Sequence, residues 1–248
     1  MLYYLFFIIC LIEVIYSIAI KNENQIISYL SNDNNNEALL EISSEINITK
    51  NITISNSIKK LSIEGKSLVS TKLFLQYLLL FDSNIEEIEI KHINIYGILF
   101  FKNNKRITLN NVNLFGYIDS DFNNHSNEYV NITKLTYEPS GVSVHNCINL
   151  SGNVKIDKSY FYGDSSCQNR LLHYNGLENY NFECKRSKFN GKNKCPFLSI
   201  EYASNANIDS SNFEKGYSSK NVDGGYIKKK KNCVIYFKHI ISIIIVVL

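Results

Sequence analysis

The sequence predicts an all-β solenoid, a stack of short three-stranded coils, and three observations carry that prediction. The composition disfavours helices: 34 Asn and 35 Ile stand against four Ala in 248 residues, and both are poorer helix formers than Ala. A ten-residue frame with two apolar alternations and a closing glycine recurs along the chain. Ahead of each copy lies a further apolar segment that ends on Asn. One large domain suits this length, since single β-rich architectures reach such sizes. A formal charge of only +3 gives no massed basic face, so nucleic acid is not an expected partner.

The frame reads Ile88-Glu-Ile90-Lys-His-Ile93-Asn-Ile95-Tyr-Gly97 and returns as Ile107-Thr-Leu109-Asn-Asn-Val112-Asn-Leu114-Phe-Gly116. Later copies are Val154 to Gly163 and Phe182 to Gly191, and a copy from Ala206 to Gly216 has one extra residue before its glycine. Alternation at period 2 marks a strand with one buried face. A fixed two-residue break between two such alternations requires the chain to bend there, so each copy is two strands joined at a corner. The preceding segments end at Asn84, Asn103, Asn146, Asn175 and Asn205. Asn tolerates the left-handed backbone conformation and makes a natural corner residue. Three strands per repeat describe the coil of a parallel β-helix.

Successive glycines, Gly97, Gly116, Gly163, Gly191 and Gly216, are 19, 47, 28 and 25 residues apart. Most of these fit one coil, and the 47 implies an insertion, read as a polar loop over 117–140. Stacked coils place equivalent residues ~4.8 Å apart, so each column becomes a ladder of like side chains. The inward columns are Ile88, Ile107, Val154, Phe182, Ala206, then Ile90, Leu109, Ile156, Cys184, Ile208. Beyond the corner come Ile93, Val112, Ser159, Ser187, Ser211 and a final column ending in Phe161, Phe189, Phe213. The stacked Phe rings are expected to supply much of the C-terminal core.

This pattern resembles the right-handed parallel β-helix of pectin-lyase-like proteins, in particular secreted Asn- and Ile-rich repeat proteins with coils of the form I-x-I-x-x-S-x-F. The resemblance covers roughly residues 79 to 216 and implies a right-handed helix of about six to eight coils. It implies a fold and not an activity. The hydrolase motifs of such enzymes, compact sets of Asp, His and Arg-x-Lys, are absent from the sequence.

In chain order, residues 1–19 read as a signal peptide, with an apolar run from Leu2 to Val14 and small residues before a cut after Ala19. Residues 20–45 form a cap region in which Gln25 to Leu30 has short helical spacing. Residues 46–227 form the β-helix, with weaker coils at Ile46 to Ile54 and Leu61 to Leu68. Residues 228–248 form a basic and apolar tail. It reads as a last strand, as a glycolipid-anchor signal with small residues at Asp223-Gly224-Gly225, or as the end of an incomplete frame. Membrane attachment is expected only through such an anchor.

Secretion brings disulfides and N-glycans within reach. The sequons are Asn47, Asn51, Asn124, Asn131 and Asn149, with Asn124 and Asn131 favoured because they lie in the polar insertion. Cys167 and Cys195 each lie four residues past a repeat glycine, so the register pairs them in a disulfide. Cys184 is expected as a buried thiol. For chemistry, Asp157 and Asp209 lie two coils apart in an outward column, ~9.6 Å by the strand spacing, near the upper limit for an inverting carboxylate pair. Lys185 between them favours a solvated charge ladder. Asp119 and Asp121 are the nearest carboxylate cluster, and His92, His125, His145, His173 and His239 show no metal-ligand spacing. No metal or cofactor is expected. The functional expectation is a non-catalytic secreted or cell-surface protein that binds polysaccharide, a cell-wall surface or another surface partner. The alternative is a carbohydrate-active enzyme, a lyase or inverting hydrolase, on the same scaffold.

Overall fold

A computed structural model describes residues 18–120 and 128–217, with the backbone of 227–230 and 234–238. The chain is a right-handed parallel β-helix of about eight turns. The coil Arg106–Ser120 shows the construction. Residues 106–110 form the first strand, Asn111 turns the corner with φ 56°, residues 112–116 form the second, and the chain turns again at Gly116 into the third. Every pairing between strands is parallel and joins equivalent positions of neighbouring coils; the long pair Glu87–Phe101 and Arg106–Ser120 stays in register through all three faces.

From the coil that begins at Glu87 onward, the corner between the first two strands has a fixed solution. His92, Asn111, Lys134, Lys158, Arg186 and Ser210 each occupy it with φ between 49° and 56°. In the C-terminal coils a serine follows. The Ser187 hydroxyl donates to the Lys185 carbonyl at 2.7 Å and accepts from the Ser159 amide at 3.1 Å, and Ser211 repeats this toward Ser187 at 3.2 Å. Each serine thus satisfies an amide that the bend would otherwise leave unpaired, which is the requirement for any buried backbone donor. Of the Asn residues expected at corners, only Asn103 is left-handed, at φ 56°. The exposed corner accepts Lys, His or Arg because the hydrogen-bonded turn on either side, not the side chain, holds the strained conformation.

The inward columns are as the alternation predicts. Leu40, Ile63, Ile90, Leu109, Ile132, Ile156, Cys184 and Ile208 form one continuous buried ladder. Phe161, Phe189 and Phe213 stack with centroids 4.7 and 4.8 Å apart. Burying each such side chain contributes roughly 1.5–3 kcal/mol, so the columns supply the main stabilisation.

Three boundaries differ from the sequence expectation. The insertion at 117–140 holds a complete pair of coil strands, Tyr129–Thr133 and Thr136–Glu138, which pair with the coils on both sides. Val130, Ile132, Leu135 and Tyr137 fill the inward positions. Because this copy closes on Pro139 instead of glycine, alignment on glycines passes over it. The stack also begins before residue 46, since Glu37–Ile42 pairs with Lys60–Gly65 and with Ile18–Ile20. The helical cap is Glu23–Leu30, with Asn22 accepting from the Gln25 amide at its N-terminus and Ile26 and Leu30 buried. At the other end Val234–Lys238 pairs with Asn205–Asp209, so this part of the tail is a strand of the stack. The apolar run Leu2 to Val14, the Asp223-Gly224-Gly225 segment and residues 239–248 lie outside the described residues.

The disulfide joins Cys147 to Cys167, with Cα atoms 5.2 Å apart, and Cys195 is free. The expected Cys167–Cys195 pair is therefore wrong. The strand Cys167–Asn175 carries a bulge, with Val144 facing Cys167 while Asn146 faces Arg170, and the extra residue breaks the simple count from the glycines. Cys195 instead packs its Sγ over Gly163, where a Cβ would lie 2.2 Å from it. Burial pushes the Cys184 and Cys195 thiols up to about 12. No helix among the described residues is long and apolar enough to cross a membrane.

Two outcomes follow from this packing. Peptide mapping without reduction should link Cys147 to Cys167 and recover Cys184 and Cys195 as thiols; a Cys167–Cys195 peptide would contradict the bulged register. A Cβ at Gly116 would lie 1.8 Å from the Gly97 carbonyl oxygen, so Gly116→Ala should cost about 1–3 kcal/mol by overpacking, read as a fall in the denaturant midpoint.

Candidate functional site

The first face of the helix carries the column singled out for catalysis. Asp157, Lys185 and Asp209 are in register on consecutive coils, as the repeat requires. The corner residue Arg186, however, clamps Asp157 with two hydrogen bonds, Nε to Oδ1 at 2.8 Å and Nη2 to Oδ2 at 2.6 Å. Lys185 turns to Glu183 on its own strand, and that hydrogen bond raises its pKa. The same face continues N-terminally with Lys60–Glu37 and with Lys91 held between Glu64 and Glu89. Exposed pairs of this kind contribute little to stability, because water and salt screen them. The column is a cross-coil charge ladder in which Asp157 is committed to a guanidinium.

The third face holds a polar chain that crosses four coils. Asn149 donates its amide to Asp119 at 2.9 Å, and its Oδ1 lies 3.3 Å from His173 Nδ1. His173 Nε2 lies 3.8 Å from Glu201, which accepts from the Ser199 hydroxyl at 3.1 Å. Both His173 and Glu201 are largely buried, with side chains 17% and 15% exposed. This polar chain sets an imidazole within ion-pair reach of a carboxylate. It lies on an open sheet face and lines none of the principal clefts.

The groove lies along the corner between the second and third strands. The residue before this corner points outward, and there Phe74, followed by Leu75, and Tyr96 and Phe115, each followed by glycine, fall in one column. Their rings stack with centroids 4.4 and 4.6 Å apart and planes within 14°. Asn47 is the rung before Phe74, and Glu138 the rung after Phe115. Gly97 leaves the corner without a side chain, and Tyr77, Ile98 and Val142 form the opposite side, 47%, 37% and 65% exposed. The Tyr117 hydroxyl donates to the Val142 carbonyl and ties the segment after Pro139 down at the groove's end. The groove is open to solvent and has a volume of about 900 Å³. None of the side chains lining it is charged, in a chain whose residues are 20% charged.

Of the expected glycosylation positions, Asn47 and Asn51 are exposed. Asn131 is half-buried in a strand between Thr108 and Lys155, not in a loop, and Asn149 spends its amide on Asp119. Asn124 and Asp121 lie outside the described residues. Among the described residues no group of three or more His, Cys, Asp and Glu is placed to hold a metal ion. Sequence reasoning missed the aromatic column although its signal was present, since Tyr96 and Phe115 stand directly before repeat glycines. It missed the polar chain because the alignment was anchored on the first two strands.

No family model, curated protein or solved structure matches the chain. The class of protein is accordingly defined by its architecture, a parallel β-solenoid with an uncharged aromatic groove along one corner.

Proposed function

We propose that this protein is a non-catalytic extracellular or cell-surface β-helix that holds a neutral polysaccharide in the aromatic groove. The observation that carries the reading is the groove's lining, three stacked rings beside amide and hydroxyl groups with no charge among them. Because the rings stack on one another, they turn mainly their edges to the groove, and this uncharged apolar strip suits the C–H groups of a neutral sugar. Gln76 and Tyr77, both exposed at the rim, supply hydrogen bonds that fix orientation, the usual division of labour in a binding cleft. A polyuronate would call for Arg or Lys facing its carboxylates, and the groove offers neither. The secretory half of the reading is supported by the apolar N-terminal run, the sequons and the Cys147–Cys167 disulfide, which belongs to an oxidising compartment. The repeat pattern supports kinship with secreted proteins of the pectin-lyase-like type.

The enzymatic reading is favoured by the chain Asp119–Asn149–His173–Glu201, the nearest arrangement to an acid and base set. Calorimetry against neutral glucans and xylans, with polygalacturonate as comparison, separates the readings. In protein made without glycans, Phe74→Leu and Tyr96→Ala should each weaken neutral-glycan binding about tenfold, the equivalent of 1.4 kcal/mol, while Asp157→Asn leaves it unchanged. Preference for polygalacturonate would overturn the neutral-ligand assignment. Cleavage abolished by His173→Gln would replace the scaffold reading with the enzymatic one.

A further inference from the structure

Three features outside the proposed binding function could carry chemistry: the buried Cys195 beside the disulfide, the polar chain on the third face, and the sequon at the groove's N-terminal end. The third is carried furthest. We infer that Asn47 bears an N-linked glycan whose first sugar packs on the open face of Phe74, occupying one end of the groove and limiting access to it. The inference rests on the secretory reading and concerns the regulation of the same site.

Asn47-Ile48-Thr49 is an acceptor sequon, and its Asn is exposed on the strand Glu45–Ile48. That strand pairs with the next coil so that Asn47 faces Phe74, which faces Tyr96, which faces Phe115. The modification site is therefore the first rung of the aromatic column. Stacking covers both faces of Tyr96 and one face of Phe74. The remaining face of Phe74 is turned toward the Asn47 rung, ~4.8 Å away along the stack. Apolar ring area left toward water costs about 25 cal/mol per Å², and a neutral hexosamine joined to the adjacent amide is placed to cover it.

The sequon is also held in position. Glu23 of the cap helix accepts from the Thr49 amide at 2.5 Å, the Lys50 amide at 2.8 Å and the Thr49 hydroxyl at 3.0 Å. These bonds fix the strand end, and with it the direction in which Asn47 leaves the sheet. The other described sequons lack this setting. Asn51 stands in the irregular segment beyond the strand, Asn131 lies on the first face, and Asn149 is hydrogen-bonded to Asp119. A glycan at Asn47 blocks the Phe74 end and leaves the part of the groove between Tyr77, Ile98 and Val142 open.

The test uses the full chain secreted from a glycosylating eukaryotic host, as wild type, Asn47→Gln, Phe74→Leu and the double variant. Glycopeptide mass spectrometry should find Asn47 occupied. Asn47→Gln should lower the melting temperature by about 2–4 °C, the shift for roughly 1 kcal/mol in a chain of this size, and should have no effect in the Phe74→Leu background, since only contacting groups are non-additive. Asn47→Gln should also bind a neutral glucan oligosaccharide about 2- to 10-fold more tightly. Phe115→Leu, at the far end of the column, should leave the Asn47→Gln shift in place. Secreted protein carrying glycans at other sequons but not at Asn47 overturns the inference and leaves the secretory reading standing. An occupied Asn47 whose effect is additive with Phe74→Leu also overturns it. Cytosolic protein with no glycan at any sequon overturns both.

Discussion

Every coil must return to its starting column at the strand spacing, and in the six coils with corners at His92, Asn111, Lys134, Lys158, Arg186 and Ser210 the left-handed corner between the first and second strands makes this return work. One residue in that conformation turns the chain while both flanking alternations keep their inward faces. The cost is a non-glycine residue at positive φ and an amide pulled out of the ladder. Inward serines answer the second part, each accepting an amide from the preceding coil and donating to a carbonyl on its own. Since a one-residue slip would send every side chain to the opposite face, the corner sets the register of these six coils.

Register in turn determines what the surface can do. A residue in a given place in the repeat is stacked on its equivalents above and below, so one aromatic becomes a row of rings and one charge becomes a ladder of alternating ion pairs. The two outward surfaces differ for this reason. On the first face, Lys91, Glu64 and Glu89, and further along Arg186 and Asp157, neutralise one another locally. At the second corner, the residue before the glycine is aromatic in consecutive coils and Gly97 leaves space beside it. A rigid scaffold of this kind preorganises a long contact surface, so ligand binding there loses little to ordering.

Much of this was legible in the sequence because inward positions obey a strict period. The columns headed by Ile88 and Ile90, the stacked Phe161, Phe189 and Phe213, and the cap near Gln25 to Leu30 all followed from alternation and helical spacing. Features that break the period were hidden. The coil over Tyr129 to Glu138 closes on proline, so a glycine-anchored alignment reads it as an insertion. The bulge at Cys167 to Arg170 redirects the disulfide to Cys147 and buries Arg170, whose guanidinium donates to the Asn169 carbonyl at 2.8 Å. Outward chemistry was hardest to read. The clamp of Arg186 on Asp157 depends on a corner side chain reaching across to the preceding coil, and the Asp119 to Glu201 chain joins residues up to 82 positions apart in sequence.

The central claim is that the column from Phe74 to Phe115, and not the charged first face, is the surface this protein uses. Hydrogen–deuterium exchange with and without a neutral glucan oligosaccharide addresses it directly. Added protection should be confined to the segments around 74–77, 96–98 and 115–117, with the strands carrying Asp157, Lys185 and Asp209 unchanged. Protection centred on those strands, or on the third face around His173, would contradict the account.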